Sequence, residues 1–429
     1  MFCAMFFTGC AGSLVAPTGS GDMVKNGEVV VYDDYIYFAG KYTSHDDLRD
    51  GDNKNANLDA LYRVKLVDGN LEYDEDNNLK NVEKVAGKVL GTENAFMYAV
   101  GDQIIFGSPN THKTAQSKNA FERTSYFKMK NDGSGLKELY TTKAEVSKQS
   151  LLQIGDQTII VVYDGTNLVR INVGTGDVKE IATDVTSAAF AANYTSDFER
   201  YAYFVVARGE EQGSESGITG DILKKADLVS GEVTTVRQIA FETIKAVDVK
   251  DGYFFYTRTT SENDTFYFAN KFTGGFEAGE VTLTTAIASD ITNFTYLGKN
   301  QNGEELPIVF TYQSRLCYSK FGEVKINEIL SESVTFLFTS GDYVYYSTSD
   351  GIFRISYKDK VTQQITDSKD FKTNVSFDGE YLYYFAKNDD NTTGNYYMYR
   401  ASVNAAENGT GIEKELLSKL DEKDIKEEE

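Results

Sequence analysis

Apolar and polar residues alternate in short runs along most of this chain, and turn-forming pairs separate the runs. The stretch from Ser333 to Thr366 shows the unit most clearly. VTFLFTS, DYVYYSTS, GIFRISYK and KVTQQIT are rich in β-branched and aromatic residues, with turns at Gly341-Asp342, Asp350-Gly351 and Asp359-Lys360 between them. A period of two sends successive side chains to opposite faces, so these runs predict a four-stranded antiparallel meander. A single sheet of this kind has two apolar faces and cannot cover both alone. Copies stacked face to face can.

The same order recurs along the chain. A turn followed by aromatic alternation stands at DDYIYFAG (from Asp33), GDQIIFGS (Gly101), GDQTIIVV (Gly155), ERYAYFVV (Glu199), DGYFFYTR (Asp251), ELPIVFTY (Glu305), GDYVYYST (Gly341) and DGEYLYYF (Asp378). Runs such as LYRVKL at Leu61, SYFKMK at Ser125, LVRINV at Leu168 and IFRISY at Ile352 follow as third strands. Tight turns such as Asn131-Asp132-Gly133-Ser134-Gly135 and Gly174-Thr175-Gly176-Asp177 then lead into polar outer strands. Copies roughly 35 to 70 residues apart bracket the length of a propeller blade. The expected fold is therefore all-β, a β-propeller of about eight four-stranded antiparallel blades over residues 27–418. Seven is the alternative count, because the copy at Glu305 has a degraded turn. Residues 1–26 are expected to be leader and tether, and residues 419–429 an acidic tail that continues whatever finishes the last outer strand.

Composition narrows the function. The 29 Tyr and 27 Phe suit half-buried sheet faces, and with only 3 Pro the turns fall to Gly, Asp and Asn. The formal net charge of -22 opposes phosphate binding, so nucleic acid is not an expected partner. The excess of acid reads first as a solvated surface, with affinity for cations or a basic partner as the alternative. Cys3 and Cys10 fall in the leader, leaving Cys317 alone in the body, where the strand-like RLCYSKF predicts a small buried hydrophobe and no disulfide.

The chain opens MFCAMFFTGCAGS, an apolar run ending at Cys10 and followed by small residues, with Phe7 three positions before the cysteine. This resembles the end of a bacterial lipoprotein signal peptide. The resemblance implies lipidation at Cys10 and an extracytoplasmic domain held to the membrane by lipid chains alone, on a tether of small residues from Gly12 to Gly27. A truncated secretory signal is the alternative. No later run is apolar for the roughly 18 to 20 residues that a spanning helix needs. The aromatic turn marker and the Asp-Gly-Ser-Gly turn are similar to the propeller repeats of bacterial surface lipoproteins of the low-density-lipoprotein-receptor-related and TolB-like kind. Such repeats specify a fold better than a function.

The insertions carry the local information. The long connections Gly40 to Asp59, Ser108 to Arg123, Arg208 to Gly220 and Lys387 to Asn395 are expected between second and third strands, which gathers them on one face, with short connections on the other. His45, Asp46, Asp47, Asp50, Asp52, His112, Asp389 and Asp390 are the candidate ligand-face residues. Closely spaced carboxylates suit a hard cation, so Asp50, Asp52 and Asp389 are candidate Ca²⁺ ligands if ring closure brings the first and last blades together. Solvated loops are the alternative, and the register lacks the turn Gly and closing Glu of a strict calcium loop. Asp74, Asp76 and Asn78 repeat the pattern in part. No other cofactor is expected.

Catalytic signatures are sparse. His45 and His112 are the only histidines, and no nucleophile elbow, phosphate loop or zinc motif occurs. Paired acids for sugar chemistry stay open, because 65 carboxylates allow many pairs. The favoured function is a monomeric, non-enzymatic binding or scaffold module for a protein or polysaccharide outside the cell. The rival is a carbohydrate-active lyase or hydrolase with acids at the channel mouth. A tight cluster of acids, His and Arg there would favour the enzyme.

Overall fold

The computed structural model describes residues 28–42, 60–76, 78–87, 95–109, 122–207, 220–238, 242–259, 264–283, 290–323, 325–387, 396–404 and 415–417. Within them the chain forms eight four-stranded antiparallel sheets, each built from four strands consecutive in sequence. They are blade 1 (29–86), blade 2 (96–145), blade 3 (148–182), blade 4 (185–238), blade 5 (243–282), blade 6 (291–333), blade 7 (335–366) and blade 8 (371–416). This is the predicted propeller, with eight blades and not seven.

Every aromatic turn marker is the second strand of a blade, as at Tyr35–Ala39, Tyr253–Thr259 and Tyr343–Thr348. These strands are buried on both faces because each blade packs between two neighbours. The fourth strands, such as Val178–Ala182 and Val233–Gln238, are mostly exposed, which explains their polar composition. Aromatic rings fill the gaps between blades: Phe338 and Tyr345 of blade 7 meet Phe377 of blade 8, with Phe338 and Phe377 centroids 5.9 Å apart. Cys317 is 3% exposed in an apolar cluster of blades 5 and 6, and burial pushes its thiol pKa up, as befits a packing residue.

The turns follow their residues. Asp33 and Asp34 both take positive φ, the conformation of a tight two-residue hairpin that Asp tolerates. Gly351 has φ 130° and sits so close to the next strand that a Cβ there would lie 1.9 Å from the Thr366 carbonyl oxygen. Only glycine fits.

The degraded turn is explained, and one expectation is corrected. The turn at Glu305 is degraded because a small hairpin precedes it: Lys299 pairs with Glu305 and the Asn300 N–H donates to the Glu304 carbonyl, so blade 6 is complete. Nor are the long connections confined to one face. Residues 190–200 and 297–307 join first to second strands and 66–81 join third to fourth, so the opposite face is elaborated too.

The ring closes without exchange of a strand. Blades 1 and 8 are each made of their own four strands, and they meet at a seam. There Lys41 and Tyr397 form an isolated antiparallel bridge and the Tyr42 N–H donates to the Tyr396 carbonyl at 3.1 Å. The Glu28 N–H donates to Ser376 Oγ at 3.1 Å. Lys372 lies over the rings of both Tyr42 and Tyr396, at 4.7 and 4.1 Å.

Candidate functional site

The first strand of each blade lines the central channel. In blades 1, 2 and 3 these inner strands, Val29–Tyr32, Phe96–Val100 and Lys148–Ile154, pair in unbroken register with their neighbours. In blades 4 to 8 the inner strands Val185–Ala189, Thr243–Lys250, Ile291–Tyr296, Thr335–Ser340 and Phe371–Phe377 each contain a register shift. A bulge adds a residue to one strand, bends it and re-aims side chains. In blades 5, 6 and 7 the shifts fall at Val247, at Asn293 and Phe294, and at Leu337.

Val247, Phe294 and Leu337 all line a cavity of about 430 Å³ on the side of the channel formed by blades 3 to 7. Blades 3, 4 and 5 give it Lys148, Gln149, Phe190, Asn193, Asp248 and Lys250, and blades 6 and 7 give it Phe294, Phe336, Leu337 and Phe338. One wall is largely polar and the other apolar.

The polar groups also tie the blades together. Lys148 Nζ reaches across to blade 5, donating to the Val247 carbonyl at 2.9 Å and pairing with Asp248 Oδ1 at 3.3 Å. Lys250 Nζ donates to the Tyr296 carbonyl of blade 6 at 2.9 Å. Ser150 Oγ donates to the Ala192 carbonyl, and Ser187 Oγ accepts the Ala246 N–H at 2.9 Å. Glu199 is 1% exposed, and its carboxylate accepts the Gly252 N–H at 3.0 Å and the Ser196 hydroxyl.

A second cluster lies beside the channel on the same face as Glu199. The Glu305 carboxylate accepts the hydroxyls of Tyr253, at 2.8 Å, and Tyr296, while Lys271 and Lys299 each stand 3.8 Å away. Burial pushes both phenol pKa values up and the adjacent carboxylate adds to it, so the two hydroxyls stay protonated and act as donors. The Lys271 ammonium lies 4.2 Å from the Tyr253 ring centroid.

Sequence reasoning had pointed elsewhere. Cys10, His45, Asp46, Asp47, Asp50, Asp52, His112, Asp389 and Asp390 all lie outside the described residues. The seam does bring together the bases of the loops that carry His45 to Asp52 and Asp389 to Asp390, since Tyr42 bonds to Tyr396 and its ring meets Phe385 edge-on. Asp74 uses its carboxylate within its own loop, accepting the Asp76 and Asn78 N–H groups at 2.9 and 2.7 Å, and these bonds hold its pKa below the usual value. Among the described residues no group of three or more His, Cys, Asp or Glu is placed to hold a metal ion. The channel residues were missed because they sit in runs that looked purely structural. One signal was available: Phe336-Leu337-Phe338 breaks strict alternation with three apolar residues in a row, which is where the bulge falls.

Fold and channel together define an eight-bladed β-propeller with an asymmetric central cavity. No protein-family model matches the chain, and no curated protein matches it. Among solved structures it is similar to the oligogalacturonate lyase of Vibrio parahaemolyticus, with 11% identity over 71% of this chain and 87% of that one and a TM-score of 0.44. It is similar to a puromycin-hydrolyzing peptidase of Mycobacterium tuberculosis, with 12% identity, 76% and 54% coverage and a TM-score of 0.44. A third is TolB from Acinetobacter baumannii, with 12% identity, 77% and 79% coverage and a TM-score of 0.34. The chain spans about half the length of the peptidase.

Proposed function

We propose that the protein is a non-enzymatic binding module outside a bacterial membrane, a monomer anchored through lipid on Cys10 and taking a protein or polysaccharide ligand. The observation that supports binding over catalysis is the state of the acids around the channel. Glu199 holds the Gly252 N–H and the Ser196 hydroxyl, Asp248 is paired with Lys148, and Glu305 holds two tyrosine hydroxyls. A hydrolase or lyase needs a group that exchanges a proton with its substrate. Carboxylates engaged by main-chain, ammonium and phenol donors act here as struts between blades.

Topology adds a direction. The chain enters the ring at Glu28, at the start of the inner strand of blade 1, on the face that carries the second-to-third-strand connections. A module anchored from that end turns this face towards the membrane and leaves the opposite face, with Glu305 and the connections 190–200 and 297–307, to the outside. That moves the ligand face away from the loop insertions.

The test has two arms. Purified protein incubated with mixed polysaccharides and peptides should release no product by reducing-end assay and mass spectrometry. Product formed by the wild type, and abolished in Glu199→Gln or Glu305→Gln proteins that still melt normally, would establish the rival lyase or hydrolase. For the anchor, protein expressed in bacteria from its upstream start should partition into detergent, and the Cys10→Ala variant should not.

A further inference from the structure

The cavity has unlike walls, and that contrast specifies a ligand. Phe294, Phe336, Leu337 and Phe338 form one side, with Phe336 and Leu337 partly exposed. On the other side, beside Phe190, stand donors and acceptors together: the Lys148 and Lys250 ammonium groups, the Asn193 amide and the Asp248 carboxylate; Lys148, Asp248 and Lys250 also tie neighbouring blades together. We infer that this cavity binds a short neutral oligosaccharide, a disaccharide or trisaccharide. The inference rests on the reading of the protein as a binding module and gives that module its site and ligand class.

A pyranose ring is itself two-sided. Its axial C–H face is apolar and packs on an aromatic or aliphatic surface, while its rim of hydroxyls both donates and accepts. The apolar wall of blades 6 and 7 suits the C–H face. The mixed wall of blades 3 to 5 suits the hydroxyls, which can accept from an ammonium or amide and donate to a carboxylate. A purely apolar ligand would cover the part-exposed Lys148 and Asp248 side chains and return no hydrogen bonds to them. An anionic ligand would meet Asp248 and Asp251, and a cationic one would meet Lys148 and Lys250. Neutral ligands avoid both conflicts.

Size agrees with this class. The cavity of about 430 Å³ falls inside the range of small-molecule sites, about 300–1,000 Å³. It holds more than one sugar ring and does not hold a folded partner. The bulges at Val247, Phe294 and Leu337 give the cavity its shape, and all three residues line it.

Titration calorimetry with maltotriose, cellotriose, xylotriose, laminaritriose and chitotriose tests the inference, with trigalacturonate and an apolar tripeptide as competitors in class. Saturable binding of at least one neutral trisaccharide is expected. Leu337→Trp, which fills the cavity, and Phe336→Ala, which removes the platform, should each weaken it tenfold or more, while Val361→Ala on the outer rim leaves it unchanged. Thermal melts identify any variant that fails to fold, and Leu337→Trp brings the chain its first tryptophan as a fluorescent reporter of the cavity. Silence across the neutral panel overturns the inference. So does binding that both cavity variants leave intact, or a preference for trigalacturonate or the peptide. Cleavage of a sugar bound in this cavity would leave the site standing and overturn the non-enzymatic reading, so the two fail separately.

Discussion

Two aspartates of blade 4 show how one residue type takes opposite roles. Burial pushes the Asp227 carboxylate up, but the Arg200 guanidinium 2.7 Å away and the Val229 and Ser230 N–H groups pull it down further, leaving its pKa below the ordinary value. Asp221 accepts the Ile244 N–H, at 2.8 Å, and burial outweighs this bond, raising its pKa. The signs differ. Asp227 contributes stability that is present above the ordinary aspartate pKa of about 4 and is lost as pH falls through its lowered folded value. Asp221 opposes folding above its raised value, and that penalty fades as pH falls towards about 4. Melting curves across pH should therefore separate the two. Asp227→Asn should lower Tm at pH 7, with the deficit closing in acid. Asp221→Asn keeps an acceptor for Ile244, so it should hold or raise Tm at pH 7, with any gain gone near pH 4. A loss from Asp221→Asn at neutral pH would refute the assignment.

At the scale of the strand, the register shifts carry the asymmetry of the channel. A one-residue insertion reverses which side chains face a given way, so a bulge in an inner strand changes what the channel sees without disturbing the rest of the blade. The second and third strands pair in unbroken register in all eight blades. Because the inner strands are edge strands, polar side chains from neighbouring blades bond to them. Ser187 Oγ accepting the Ala246 N–H is a buried link of this kind. Ser187→Ala leaves that N–H without an acceptor and should destabilise the protein by about 1–3 kcal/mol, read by denaturant unfolding. Ser187→Thr, which keeps the oxygen, should lose less. Equal losses would mean that packing, not the hydrogen bond, sets the energy.

For the whole molecule the seam between blades 8 and 1 is the place where the ring must be held shut. Many internal blade contacts are local in sequence, whereas the bridge between Lys41 and Tyr397 joins the two ends of the propeller. Paired cysteines at these positions, Lys41→Cys with Tyr397→Cys, face each other across an antiparallel bridge, the separation that a disulfide spans. The oxidised variant should be more stable than its reduced form by about 2–4 kcal/mol, measured in denaturant with and without reductant. An oxidised form no more stable than the reduced one would show that unfolding starts elsewhere in the ring.

The sequence by itself determined the repeating unit, the second strand of every blade and the burial of Cys317. These follow from local physics: period-two alternation, Gly and Asp at positive φ, and a lone thiol in an apolar run are each readable within a few residues. The blade count was nearly legible, and only the hairpin at 299–305 obscured it. Tertiary structure alone decided the rest. The contact of Tyr42 with Tyr396, the reach of Lys148 to Val247 and Asp248, and the meeting of Tyr253, Tyr296 and Glu305 join residues from different blades. No local pattern records such pairs, because they arise only when the sheets are arranged around a common axis. The cavity belongs with them: its walls come from the inner strands of blades 3, 5, 6 and 7 and the connection that follows the inner strand of blade 4, and the bulges in blades 5, 6 and 7 depend on the partner strand against which the extra residue is counted.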